Sequence, residues 1–371
     1  MNSEYITSSE DRILVTGSNG FIGVRVIKTL LGYGFRNLRC FVRPSSRLVR
    51  LEKTLNHADA LGNVEIVTGD LLSREDCQKA TEGVSIIYHL AAGIEKSFAG
   101  AFMNSVLTTR NLMEAFLATG KPKRFVSVSS FAVYSNLNLD RGSLLDETCP
   151  LENSAQERFD AYGFGKLKQE ELVREYGARS GLPYVIVRPG YVFGPGKKEL
   201  SGRVGINTFG FFFHLGGSNT LPLTFVDNCA EAIVLAGLKP NVDGEVFNVV
   251  DDELMSSHDF LKAYKKAKPF RSIRIPYSVA NAGSFAWEKY SKWSKGQLPP
   301  VFNPRRCSAE WKGNRYSNKK LKDRLGWTPR VPMQQAMEAF LAHFASNGEV
   351  RDQRSDVSGQ TSKSTGNSHA D

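Results

Sequence analysis

The sequence predicts an α/β fold, a doubly wound parallel sheet followed by a smaller, mostly helical C-terminal lobe. Three observations carry this. From Arg12 to about Arg188, short β-branched runs alternate with longer amphipathic segments, as consecutive βαβ units require. The runs are almost continuously apolar, which suits strands covered by helices on both faces. A glycine-rich turn joins the first run to the first helical segment, the place where such a sheet takes a ligand.

In chain order, strands are expected at Ile13–Thr16, Leu38–Val42, Val64–Thr68, Ser85–His89, Arg124–Val128 and Tyr184–Arg188. After Arg188 the regularity fades: Gly194, Pro195, Gly196 and Gly202 interrupt a loop region, and Phe209, Phe211, Phe212 and Phe213 follow. Leu221–Leu238 reads as a strand and helix returning to the sheet, and Glu245–Val250 as a further strand. Helical patterns dominate from Ser256 to Phe344. The expected organisation is a first domain over residues 11–195 with 221–252 returning to it, a substrate lobe over 196–220 and 253–345, and a tail over 346–371. The tail is almost devoid of apolar residues, cannot offset the entropy of ordering, and is expected to be disordered. No internal repeat is visible.

The 371 residues, 41% hydrophobic and 23% charged, are ordinary for a globular protein. No run of eighteen apolar residues could span a bilayer, so no integral membrane segment is expected. Met1–Asp11 is polar and lacks a signal-peptide centre, which makes the cytoplasm the expected location. Cys40, Cys77, Cys149, Cys229 and Cys307 lie far apart, and no His spacing suits zinc, so free thiols and no metal are expected. The net charge of +10 is modest for the length. Lys262, Lys265, Lys266, Lys268, Arg271 and Arg274 concentrate part of it, but no aromatic-and-basic recognition motif accompanies them. They read as a solvated helix face, and nucleic acid is not an expected partner.

The first expected strand ends in TGSNGFIG, with Gly17, Gly20 and Gly23 three apart and Asn19, Phe21 and Ile22 completing the loop before a helix. Glycine permits a turn at positive φ and close approach of backbone to a pyrophosphate, and the helix N-terminus adds amide donors and a favourable dipole. A dinucleotide site of the Rossmann type follows, although the spacing departs from G-x-G-x-x-G. The second strand ends in Arg43 and continues to Arg47, with no carboxylate for a ribose 2′-hydroxyl. Two guanidinium groups suit a 2′-phosphate, so NADP(H) is expected in preference to NAD(H).

On a helix expected to begin near Asp160, Tyr162 and Lys166 stand four residues apart and share a face. A neighbouring ammonium favours the phenolate and would lower the tyrosine pKa from about 10, allowing proton exchange near neutral pH. At the end of the fifth strand, VSVSSFAVY places Ser129 and Ser130 at the C-terminal edge of the sheet. A hydroxyl there can bond the reacting oxygen while Tyr162 moves a proton and the cofactor carries a hydride. Ser130, Tyr162 and Lys166 are therefore the candidate catalytic group.

At this point the sequence resembles the extended short-chain dehydrogenases/reductases, the NAD-dependent epimerase/dehydratase superfamily. The matching segments are TGSNGFIG, Gly69-Asp70-Leu71, HLAA at 89–92, Asn104 with NLMEA, VSVSSFAVY, YGFGK at 162–166, RPGYVFGPG at 188–196, LTFVDNCAEAI at 223–233, FNV at 247–249 and LGWTP at 325–329. The resemblance covers about residues 11–345. It implies that Asp70 and Leu71 frame the adenine and that Leu90, Ala91 and Ala92 line the dinucleotide. It also implies that Lys166 holds the nicotinamide ribose and that Pro189 and Gly190 lie by the nicotinamide. His89 is given no catalytic role. Helices flanking the sheet in such folds often pair across a two-fold axis, which leaves a homodimer open.

Dehydratases of this family carry an acidic pair after the strand-five hydroxyl residue, where this chain has Phe131 and Ala132. Epimerases commonly carry an Asn where it has Tyr191 and an Arg where it has Leu223. RPGYVFGPG and FVDN look instead like the 3β-hydroxysteroid dehydrogenase and dihydroflavonol reductase side. The expected function is an NADP(H)-dependent oxidoreductase moving a hydride between the nicotinamide and a carbonyl or secondary alcohol of a small molecule. A nucleotide-sugar epimerase with tightly bound NAD and a protein that only senses NADP are the alternatives, and a sugar substrate stays open. Phe209–Phe213 and the group Phe285, Trp287, Tyr290, Trp293 would suit either an apolar substrate pocket or the core of the small lobe.

Overall fold

The central strand β1 (Arg12–Thr16) explains the layered architecture, because its apolar residues alternate between two cores. Ile13 and Val15 pack with Val26, Ile27 and Leu30, whereas Leu14 faces the other way onto Leu112, Met113 and Phe116. A strand covered on both sides must be apolar throughout, which is why it reads as a continuous run. The computed structural model describes residues 4–344 except 59, 61–63, 94–96, 121, 198, 209 and 296. The expected tail at 346–371 and Phe209 lie outside the described residues.

Beside β1 stand β2 (Leu38–Val42), β3 (Glu65–Thr68), β4 (Val84–His89), β5 (Arg124–Val128), β6 (Tyr184–Pro189) and β7 (Val246–Val249). They form one seven-stranded sheet in the order β7-β6-β5-β4-β1-β2-β3, every pair parallel. The expected doubly wound sheet is thus present, each strand within a residue of its expected bounds. The order reverses between β1 and β4, which makes their C-terminal ends the switch point where ligands bind.

The connecting helices are α1 (Gly23–Gly32), α2 (Val49–His57), α3 (Arg74–Thr81), the short α4 (Phe98–Ala101) that runs on to α5 (Thr108–Ala118), and α6 (Ala161–Ser180). α7 (Val226–Leu238) returns to the sheet and packs on α1. Leu321, Leu325 and Trp327, from a stretch expected in the substrate lobe, are buried in this same core.

The lobe contains α8 (Ser257–Ala267), α9 (Tyr277–Trp293) and α10 (Pro304–Trp311). It is less helical than expected: Gly205–Thr208, Phe211–His214 and Ser272–Arg274 form a three-stranded sheet. Four consecutive aromatic and His residues hide the alternation, but Phe212 and His214 are buried while Phe211 is exposed. Of the aromatic group expected on α9, Phe285, Tyr290 and Trp293 are exposed on its outer side, while Trp287 is half-buried and donates to the Pro299 carbonyl at 3.2 Å.

Candidate active site

The turn after β1 is built by the need for close backbone approach. Gly17 stands at φ +68°, and a Cβ there would lie 3.0 Å from the Ala91 nitrogen. At Gly23 a Cβ would lie 2.1 Å from the Gly17 carbonyl oxygen, so the first turn of α1 can sit against the loop only without a side chain. No acidic residue stands in that first turn, leaving the helix N-terminus free to receive an anion.

A cavity of about 310 Å3 opens at the switch point, and Gly17, Asn19, Gly20, Arg43, Asp70, Leu71, Leu90, Ala91 and Ala92 line it. The backbone cradle and the cation at its mouth fit a dinucleotide phosphate. Phe21 instead lines a neighbouring cleft with Arg25 and Arg50, and Ile22, Gly23, Arg47, Pro189 and Gly190 are not part of either lining. Ile22 caps α1, and Gly190 packs so closely under Pro222 that a Cβ would meet its carbonyl at 2.1 Å.

Sequence reasoning missed Phe41, Val42, Ser46, Gly93 and Thr108 in the lining, and quoted Asn104 only as part of a motif. Ser46 had a local signal: three residues after Arg43, its hydroxyl accepts the Arg43 backbone N–H at 3.1 Å, closing a turn that presents both side chains. Neither Arg43 nor Arg47 has an ion-pair partner among the described residues. On the opposite wall, Asp70 uses Oδ1 to accept the Leu72 N–H.

The catalytic candidates meet where β5 ends. Ser130 caps a short helical turn at 131–133, its hydroxyl accepting the Ala132 N–H at 3.2 Å, and it lies near enough to the Tyr162 phenol to favour its ionised form. Asp160 caps α6 by accepting the Gly163 N–H at 2.9 Å and is held by Arg158, also at 2.9 Å. This cap places Tyr162 in the first turn and Lys166 one turn later. Ser129, the neighbouring candidate hydroxyl, is buried and has no hydrogen-bond partner among the described residues.

The expected lowering of the Tyr162 pKa by Lys166 is not what the structure shows. Burial raises the phenol, the Ser130 hydroxyl works against that, and the Asp160 carboxylate adds to it. Lys166 is not among the groups that shift Tyr162. Nζ donates to the Val128 carbonyl at 2.6 Å and to Gln169 Oε1 at 3.0 Å. Burial brings Lys166 down to about 8 against the opposing pull of Glu170.

Behind Lys166 runs a buried polar chain whose proton directions can be assigned. Gln169 Nε2 donates to Thr109 Oγ1 at 2.7 Å, and the single Thr109 proton goes to the Ser105 carbonyl. His89 Nε2, 2.9 Å from Thr109 Oγ1, must therefore donate, which leaves Nδ1 to accept from the Thr16 hydroxyl at 2.8 Å. Thr16 in turn accepts the Ala91 N–H at 3.2 Å. Burial pushes His89 down to about 3, with the Lys166 charge adding to the effect. A neutral, doubly bonded imidazole suits a strand-end residue rather than a catalytic one.

Arg188 locks the site from below. Its guanidinium makes two bonds to Glu170, at 2.8 and 2.6 Å, and one to the Tyr134 hydroxyl at 2.8 Å. Tyr134 continues to Asn248 at 2.8 Å, so α6, β6, β7 and the loop after Ser130 share one buried network.

Comparison with known proteins gives the family and the fold. A family model for the "NAD dependent epimerase/dehydratase family" matches residues 13–249. The 3beta-hydroxysteroid-dehydrogenase/decarboxylase isoform 1 of Arabidopsis thaliana is 26% identical over 92% of this chain and 81% of its own. The human sterol-4-alpha-carboxylate 3-dehydrogenase, decarboxylating, is 25% identical over 90% of this chain and 88% of its own. Among solved structures, gox2253 superposes with a TM-score of 0.73 at 24% identity, covering 91% of this chain and 99% of that one. The UDP-glucuronic acid 4-epimerase of Bacillus cereus in complex with NAD gives 0.66 at 22% identity, covering 90% and 96%. The match over residues 13–249 makes this chain a member of the NAD dependent epimerase/dehydratase family, and hence an NAD(P)-dependent oxidoreductase.

Proposed function

We propose that the protein is an NADP(H)-dependent dehydrogenase or reductase interconverting a secondary alcohol and a carbonyl on an apolar, sterol-like small molecule. The observation that carries this is the Ser130–Tyr162 hydroxyl pair at the sheet's C-terminal edge, with Lys166 one turn behind. When bound, the nicotinamide supplies or accepts the hydride. Ser130 orients the reacting oxygen. Tyr162 gives that oxygen a proton in reduction and takes one in oxidation, and its raised pKa keeps it protonated at neutral pH, the form reduction needs. Lys166 spends two donors on Val128 and Gln169 and keeps its third for a ribose hydroxyl. Arg43 and Ser46 suit a 2′-phosphate.

Three positions support carbonyl chemistry over the sugar-nucleotide reactions. Leu223 and Tyr191 are cross-strand partners, Leu223 wholly buried and the Tyr191 hydroxyl donating to the Glu199 carbonyl at 3.0 Å. They form a piece of apolar core where a sugar diphosphate would want an amide and a guanidinium. Phe131 is buried against Tyr134, so the position after Ser130 offers no acid for eliminating water. The relatives named as sterol dehydrogenases support the substrate class.

The test is the fate of the cofactor. Purified protein should release little dinucleotide on denaturation, bind added NADPH reversibly, and consume it in proportion to product with a 3-ketosteroid. Near-stoichiometric NAD surviving extensive dialysis, with interconversion of nucleotide sugars and no net change in cofactor absorbance, would overturn the reading.

A further inference from the structure

α9 is amphipathic in the wrong sense for a helix of a globular lobe. Its buried residues are Ala280, Ser284 and Ser291, small and mostly polar. Its outer side carries the large apolar groups: Val279 is 58% exposed, Phe285 51%, Tyr290 48% and Trp293 78%. Burying large apolar side chains is stabilising, so a helix that turns four such groups outward and serines inward is placed for something outside the chain. The inward serines are satisfied, Ser284 donating to the Asn281 carbonyl at 2.6 Å and Ser291 to that of Leu298. The helix is therefore not simply rotated out of place. Leu298 and Val301, which follow it, are also exposed.

The charge around this face identifies its partner. From Tyr277 to Gln297 the chain carries three lysines, Lys289, Lys292 and Lys295, against Glu288. Lys289 and Lys292 lie exposed on α9 itself and Lys295 just beyond, beside the stacked pair Tyr290 and Trp293, whose ring centroids are 5.6 Å apart. Aromatic rings with a polar edge, interleaved with lysines whose stems can lie along apolar matter, suit the boundary between lipid headgroups and acyl chains. No helix among the described residues is long and apolar enough to cross a membrane, so the helix would lie along the surface. We propose that the outer face of α9 docks the protein on an anionic phospholipid bilayer, Phe285, Tyr290 and Trp293 entering the interface and the surrounding lysines meeting the headgroup charge.

The experiment is co-sedimentation of the full chain with vesicles of phosphatidylcholine alone or mixed with phosphatidylserine, at low and high salt. Wild type should sediment with the mixed vesicles, be released by salt, and be quenched at Trp293 by brominated lipid. Phe285→Ser with Trp293→Ser, and separately Lys289→Glu with Lys292→Glu, should each lower the partition at least about tenfold. Melting temperature should stay unchanged, because none of these side chains is buried. Wild type remaining in the supernatant with every vesicle would overturn the proposal, as would variants that bind like wild type. A lipid-free dimer that Phe285→Ser with Trp293→Ser converts to monomer would overturn it in favour of a second copy on this face.

Discussion

Lys166 donates to the carbonyl oxygen of Val128 at 2.6 Å, and so ties α6 to the strand end that carries Ser130. The helix that carries Tyr162 and the strand end that carries Ser130 are thus tied together by the lysine. Tyr162→Phe is expected to lower turnover on the order of 10²–10⁴-fold and leave the NADPH dissociation constant within about twofold. Lys166→Met should weaken both, since it removes the tie and a ribose donor together. Fluorescence titration of NADPH beside initial rates separates the two, and ordinary turnover by Tyr162→Phe would assign the proton to another group.

Arg43→Asp should shift preference toward NADH, because it removes a phosphate partner and supplies a ribose acceptor. Ser46→Ala should reduce NADPH affinity by roughly tenfold to a hundredfold, about the worth of one hydrogen bond to a charged group, without changing NADH affinity. Titrating both cofactors against each variant checks this. Unaltered discrimination in Arg43→Asp would place the 2′-phosphate elsewhere.

His89 predicts an acid limb in stability. Its ordinary pKa is 6.5 and its folded pKa about 3, so between those values only the unfolded chain takes up the proton. A lowered folded pKa means stability is present above the ordinary value and lost as pH falls through the window, by up to about 1.4 kcal/mol per pH unit. His89→Gln should flatten this slope in urea titrations across acidic pH. At neutral pH it should cost about 1–2 kcal/mol, because the Thr16 hydroxyl loses its acceptor. Parallel stability curves for the two proteins would show that folded His89 does take a proton.

Arg188→Met strands the Glu170 carboxylate, which is 1% exposed and keeps, among the described residues, one ion pair, to Arg174 at 3.4 Å. A loss of about 3–5 kcal/mol is expected in chemical denaturation. Adding Glu170→Leu should recover part of it, since two apolar groups leave no buried charge. A single variant as stable as wild type would show that water reaches the carboxylate.

The chain's local chemistry determined the strands, the glycine turn and the spacing of Tyr162 and Lys166. These are readable because alternation of apolar runs, the positive φ of Gly17 and the four-residue pitch of a helix depend only on neighbouring residues. Only the tertiary structure decided what those residues touch. Thr16, His89, Thr109 and Gln169 come from four separate elements, and no local pattern links them into one proton-ordered chain. The same limit governs electrostatics: a spacing of four suggested that Lys166 would lower Tyr162, but burial raises Tyr162 and the Lys166 ammonium turns to the Val128 carbonyl. It also governs which side of a helix faces in. The aromatic residues of α9 show that it has an apolar face, but whether that face meets the lobe or solvent depends on the partners that surround it after folding.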